Sequence, residues 1–148
     1  MIGNSLDDKI IYSEFRKGIA QVSANGENQE LLIKAEGDDF YFPQILPGGK
    51  SLLFTRGSTI VVQSLESEDR KELFAGYGAQ YLTTGHLIYG LENNLYAVPF
   101  DHKKLMRTGD SISLAEGLLI LNSGPQYAVS DSGTLVYVTG PLSNQAQL

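Results

Sequence analysis

One phrase occurs four times along the chain: Gly49-Lys50-Ser51-Leu52-Leu53-Phe54, Gly85-His86-Leu87-Ile88-Tyr89, Gly133-Thr134-Leu135-Val136-Tyr137 and, more faintly, Asp8-Lys9-Ile10-Ile11-Tyr12. Each copy is a turn signal followed by a short apolar run that ends in an aromatic residue, which is typical of a β-strand entered from a tight turn. The final aromatics are roughly 35 to 48 residues apart, near the period of propeller blades. We expect these four rings to occupy equivalent, largely buried positions between sheets.

Short apolar runs fill the rest of the chain between clusters of Gly, Asn, Asp and Ser, and no stretch shows the period of a long amphipathic helix. Many runs are apolar on both faces, as in Ile60-Val61-Val62. Such strands must be covered on both sides, as they are when sheets stack. The sequence therefore predicts an all-β fold of repeated four-stranded antiparallel meanders, a partial β-propeller of about three blades.

The length of 148 residues is that of a single domain, 1–148. The repeat units fall at 7–39, 40–76 and 77–121, with a partial unit at 122–139 and a polar tail at 140–148. We count three strands in the first unit, four in each of the next two and two in the last. The first sheet is thus expected to lack an inner strand. Because such an open wedge exposes sheet faces and edges, we expect a homodimer that closes a ring of about six blades.

Composition limits the partners and the compartment. The net charge of -6 argues against nucleic acid, whose phosphates require a basic face. The absence of cysteine excludes disulfides and thiolate metal sites, and no cofactor or metal is expected. The sequence begins without a signal peptide and contains no apolar run of membrane-spanning length. The chain as given is therefore expected in the cytoplasm, or in the periplasm if it is a piece of a longer exported or membrane-anchored protein.

No catalytic residue is predicted. The sequence has no Gly-x-Ser-x-Gly nucleophile motif and none of the kinase signatures. Its two imidazoles, His86 and His102, occupy turn-like positions. The acidic run Glu36-Gly37-Asp38-Asp39 lacks the spacing of a calcium loop, so we interpret it as a solvated loop or, with the aromatics that follow, a recognition surface.

Candidate ligand-binding residues lie in the loops between repeat units, which share one rim in a propeller. They are Asp38, Asp39, Tyr41, Tyr77, Tyr81 and Tyr127. The glutamines at the starts of three units, Gln44, Gln80 and Gln126, either face the same ligand or bond backbone between blades.

Four segments carry a resemblance to a known family: FPQILPGGKSLLF at 42–54, GHLIY at 85–89, LYAVPFD at 95–101 and VSDSGTLVY at 129–137. They resemble the TolB-like, WD-repeat-like β-propellers of bacteria, most closely those that follow many bacterial serine/threonine protein kinases. The resemblance covers residues 7–140 and marks the blade, not a ligand. It implies a sensing or protein-interaction module without catalytic residues of its own.

Three functions stay open at this point. The first is a non-enzymatic module that binds a protein or a small ligand. The second is a hydrolase or lyase that acts on a glycan or peptide in a central propeller pocket, using Asp38, Asp39, His86 and tyrosines. The third is a fragment of a larger propeller with no function of its own. Ionisable side chains that converge in a deep pocket would favour the enzyme, and an aromatic rim would favour binding.

Overall fold

The computed structural model of the chain describes residues 2–3, 8–121 and 124–140. Within these ranges it consists of strands, turns and loops, and the strands form several antiparallel sheets, which confirms the all-β prediction. No helix among them is long and apolar enough to cross a membrane. Apart from Gly140, the predicted polar tail lies outside the described residues, as do positions 122 and 123 of the last inter-unit loop.

The first sheet has four strands in sequence order, β1 (Ile2–Gly3), β2 (Lys9–Glu14), β3 (Gly18–Ser23) and β4 (Glu30–Lys34). The prediction that this sheet lacks an inner strand is wrong, because the two-residue strand β1 pairs with β2. The sequence hides β1, since two residues are too few for an alternating pattern to emerge.

The second sheet is also a meander in sequence order, β5 (Phe40–Ile45), β6 (Ser51–Arg56), β7 (Thr59–Ser64) and β8 (Arg70–Ala75). The central strands β6 and β7 are buried on both faces, as their continuous apolar runs predict. The edge strand β8 is largely exposed and opens with charged residues, which discourages unwanted strand pairing. Gly57, with φ of 60°, begins the two-residue turn between β6 and β7.

The third sheet contains β9 (Tyr77–Leu82), β10 (His86–Leu91), β11 (Asn94–Asp101), β12 (Met106–Arg107) and β13 (Ile112–Glu116). β9, β10 and β11 are neighbours in that order, and the far side of β11 pairs with both β12 and β13. The outer strand is therefore divided in two, β12 and β13.

Two small antiparallel pairs follow. β14 (Ile120–Leu121) pairs with β15 (Gly124–Pro125), and β16 (Tyr127–Val129) pairs with β17 (Leu135–Tyr137). The last pair matches the partial fourth unit that the sequence predicts.

The contacts divide the chain into two compact units, Met1–Gln80 and Tyr81–Leu148, called unit 1 and unit 2 below. In unit 1 the first two sheets pack through a common apolar cluster, made of Ile11, Ile19, Ile33, Phe40, Leu52, Phe54 and Val61. In unit 2 the third sheet and the last strand pair share another, built on Leu82, Ile88, Leu95, Ala115 and Leu118 with Tyr127, Val129 and Leu135 against it.

The four repeated aromatics differ in how deeply they are buried. Phe54 is 0% exposed and Tyr89 is 4% exposed, as predicted, whereas Tyr12 is half-buried. The prediction of burial is wrong for Tyr137, which is 42% exposed. Tyr137 lies on β17 of a two-stranded sheet, and no further described strand pairs with β17 to cover it.

Candidate functional site

Two connections of unit 1 lie side by side: the turn between β2 and β3, residues 15–17, and the loop between β4 and β5, residues 35–39. The backbone N–H of Arg16 donates to Oδ1 of Asp39 at 2.7 Å. The N–H of Ala35 donates to the carbonyl of Lys17 at 2.8 Å. These hydrogen bonds hold together residues that are far apart in sequence and define what we call the loop platform, residues 15–17 and 35–42.

The backbone of the platform is strained at two residues. Arg16 has φ of 61° and Phe42 has φ of 55°, both in the left-handed region that residues other than glycine rarely adopt. Phe42 and Pro43 together oppose the single residue Phe54, which makes a β-bulge in β5. Such conformations persist where surrounding contacts impose them, and they cluster at binding sites.

The two predicted acids are anchored differently. Oδ2 of Asp38 accepts from Nε and Nη2 of Arg56 at 2.8 Å each. Because both side chains are well exposed, water screens this pair, and its contribution is about 0.2–1 kcal/mol. Asp39 instead fixes the backbone of the neighbouring turn.

Tyr41 stands beside Asp39. Desolvation raises the pKa of the Tyr41 phenol, and the adjacent carboxylate of Asp39 raises the pKa further by its charge and a hydrogen bond. The phenol therefore stays protonated at physiological pH and donates its hydrogen bond to Asp39. Its ring packs 6.4 Å from that of Phe42, at an interplanar angle of 53°.

An exposed aromatic stands at the tip of the turn. Phe15 is 67% exposed, and the guanidinium carbon of Arg16 lies 5.1 Å from the centroid of its ring. Aromatic side chains and arginine are enriched among the residues that dominate the energetics of protein interfaces.

Two pockets meet at the platform. The first, which we call the acidic pocket, has a volume of about 450 Å³ and is lined by Phe15, Arg16, Ala35, Gly37, Asp38 and Asp39. The second, which we call the basic groove, has a volume of about 400 Å³, and its polar lining is Glu14, Arg16, Lys17, Gln29 and Lys34. Arg16 and Ala35 line both pockets.

The platform unites Asp38, Asp39 and Tyr41, three of the six predicted site residues. Tyr77 is half-buried in β9. Tyr81 contacts Nδ1 of His102 through its hydroxyl at 3.3 Å and packs edge-on against Phe100. Both tyrosines lie on β9, away from residues 15–17 and 35–42 in the chain.

Tyr127 belongs to the core of unit 2. Its hydroxyl donates to the carbonyl of Ile88 at 3.3 Å, and burial raises the pKa of its phenol. The glutamines also make local contacts: Gln44 is buried, and Nε2 of Gln126 donates to the carbonyl of Gly124 at 2.9 Å. The sequence alone does not distinguish a packed tyrosine from one at a rim, because the hydroxyl of a buried tyrosine also finds a hydrogen-bond partner.

The sequence reasoning missed two platform residues, Phe15 and Arg16, and it missed Arg56, whose side chain pairs with Asp38 of the platform. The only local signal was an aromatic followed by two cations and a glycine in a turn, a place where small polar residues are more usual. Arg56 gave no local signal, because its sequence position indicates only the end of a strand.

No group of three or more His, Cys, Asp or Glu side chains that could hold a metal ion occurs within residues 8–121 and 124–140. His86 contacts the hydroxyl of Thr84 through Nδ1 at 3.1 Å. Comparison of the chain with models of protein families and with curated proteins finds no match.

Proposed function

We propose that this chain is a non-enzymatic binding module that uses the loop platform to recognise a protein or peptide partner. The observation that carries the proposal is the exposed pair of Phe15 and Arg16 on a turn that Asp39 locks from the neighbouring loop. A rigid aromatic and arginine pair loses little conformational entropy on binding, which is the property of interface hot spots.

The surroundings of the pair support recognition of an extended partner. Tyr41 adds a second exposed ring on the same platform, and the acidic pocket with the basic groove offers concave surface beside them. Polar groups of both signs around exposed rings match the mixed composition of interfaces that form and dissociate. The absence of nucleophile and kinase motifs from the sequence supports a role without catalysis.

We further propose that the sheets are blades of a propeller of the TolB-like, WD-repeat-like type. The second and third sheets lie within the predicted repeat units 40–76 and 77–121, and the first sheet joins the strands of repeat unit 7–39 to β1. The first two sheets pack through one apolar cluster in unit 1. This order is what a stack of blades requires. A solved structure that shows radial blades around a channel would test it, and sheets packed as a flat sandwich would refute it.

We also propose self-association as a homodimer. Val136, Tyr137 and Val138 form an exposed apolar stretch at β17, with Val136 at 64% exposure. Sedimentation of the wild type at tens of micromolar should give the mass of a dimer, and Val136→Lys should dissociate it. Ile112→Lys, at a similarly exposed residue of unit 2, is the control. A wild-type monomer at that concentration rules the dimer out.

A random-sequence peptide display library tests the binding function directly. Peptides enriched on the immobilised chain should bind in solution, and Phe15→Ser should weaken their binding about thirtyfold, because hot-spot truncations cost about 2 kcal/mol. Ile112→Ser is the matched control, since Ile112 is 62% exposed but lies in unit 2. Both substitutions should leave the melting temperature nearly unchanged. If no peptide is enriched, or if Phe15→Ser and Ile112→Ser act alike, the proposal fails.

A further inference from the structure

The basic groove carries a charge opposite to that of the chain as a whole. Its lining holds three cations, Arg16, Lys17 and Lys34, and one carboxylate, Glu14, which leaves a surplus of two positive charges. The chain has a net charge of -6. A local surplus of this sign attracts anionic groups.

The surplus lies on two particular side chains. Lys17 is already paired with Oε1 of Glu14 at 2.6 Å. Arg16 and Lys34 have no carboxylate partner among residues 8–121 and 124–140. Both side chains line the groove and are exposed. Their charges are therefore available to a ligand without breaking an ion pair.

The groove also has an apolar part. Leu31 is 48% exposed and lies beside Ala20 in the lining. Leucine at that exposure on a strand offers an apolar surface to a ligand. The combination of two cations with an exposed leucine matches a ligand that carries carboxylates next to an apolar side chain.

The open shape of the groove favours a peptide over a small anion. Both cations are solvated, and an isolated exposed ion pair contributes little. A peptide that lies along the groove gains from several such contacts at once and reaches Phe15 in the adjoining acidic pocket. Arg16 is held in place by the hydrogen bond from its own N–H to Asp39, which reduces the entropy lost on binding.

We infer that the basic groove binds an acidic segment of a partner protein, with carboxylates at Arg16 and Lys34 and an apolar side chain against Leu31. The inference rests on the proposed binding function and names its partner class.

The test begins with the display library, whose enriched peptides should be rich in Asp and Glu next to apolar residues. A fluorescein-labelled peptide of alternating glutamate and leucine then provides a defined probe for fluorescence polarisation. Arg16→Gln and Lys34→Gln should each weaken its binding about three- to tenfold, the range for partly exposed charge-assisted contacts. Lys103→Gln, at an exposed lysine of unit 2, should leave it unchanged. Added salt should weaken wild-type binding more than that of the double variant.

Three results with the defined probe would overturn the inference. The first is equal binding of the alternating glutamine–leucine peptide. The second is unchanged affinity in both Arg16→Gln and Lys34→Gln with the fold intact by circular dichroism. The third is complete displacement of the probe by inorganic phosphate at low millimolar concentration, which would assign the cations to a small-anion site. If enriched peptides depend on Phe15 but are uncharged, the binding function stands and only the acidic partner class falls. If the library yields no binder, both fall.

Discussion

Phe54 is the clearest test of how the repeat builds the core. Its ring is 0% exposed and lies in the apolar cluster of unit 1. It packs 4.9 Å from the ring of Phe40, and the guanidinium of Arg70 stands 5.8 Å from its centroid. Arg70 is itself oriented by Gln63, whose Oε1 accepts from its Nε at 2.7 Å. Truncation of Phe54 therefore removes buried surface, a ring pair and a cation–π contact together.

We expect Phe54→Ala to lower the free energy of unfolding by about 3–5 kcal/mol, the range for truncating a packed ring. The upper half of that range is expected, since an aromatic pair contributes about 0.5–1.5 kcal/mol beyond its buried area. Phe54→Leu retains most of the volume and should cost about 1–1.5 kcal/mol.

Tyr137→Ala is the matched control, because Tyr137 ends the same phrase in the last copy but is 42% exposed. Its expected loss is about 1 kcal/mol or less. Urea unfolding followed by far-ultraviolet circular dichroism measures the free energies, and amide exchange in β6 and β7 reports on unit 1 itself. A loss below about 1 kcal/mol for Phe54→Ala, or equal losses at both sites, would refute the reasoning.

Three further predictions concern backbone strain and pH. Gly18→Ala should lower the free energy of unfolding by at least about 2 kcal/mol, because φ is +129° and the new Cβ would lie 1.9 Å from the carbonyl oxygen of Ile33. Gly26→Ala, whose new Cβ would meet nothing within 4 Å, should lower it by only about 1 kcal/mol. Equal losses for the two variants in urea unfolding would contradict this prediction. Asp101→Asn should lower the melting temperature at neutral pH, because the N–H groups of Lys104 and Lys103 hold the pKa of Asp101 below its ordinary value. The difference in melting temperature from the wild type should vanish as acid protonates Asp101. A difference that persists at about pH 2 would oppose the prediction. Burial raises the pKa of Tyr127, so the wild type should lose stability as the pH rises above about 10, where only the phenol of the unfolded chain ionises. Tyr127→Phe should reduce this loss of stability at alkaline pH. Identical dependence of the melting temperature on alkaline pH in the wild type and in Tyr127→Phe would exclude the effect.

Local sequence pattern was enough to locate the longer strands. The apolar run Ile60-Val61-Val62 lies in the strand Thr59–Ser64. The segment LYAVPFD at 95–101 lies in the strand Asn94–Asp101. These agreements arise because side-chain alternation and turn chemistry are properties of neighbouring residues. The exposed acidic loop next to aromatics was likewise visible in the sequence, and it contributes three residues to the candidate site.

Only the tertiary structure decided which of these features meet and which are covered. Arg16 and Asp39 are separated by 23 positions, and their contact depends on how the first and second sheets pack. Phe54 and Tyr137 end the same phrase, yet one is buried by a neighbouring sheet and the other is exposed at the last strand. The alternation of side chains is determined by the residues of the strand itself. The burial of the strand depends on the element that packs against it, and that element is distant in sequence. The same dependence separates Tyr127, absorbed into a core, from Tyr41, which remains at the surface.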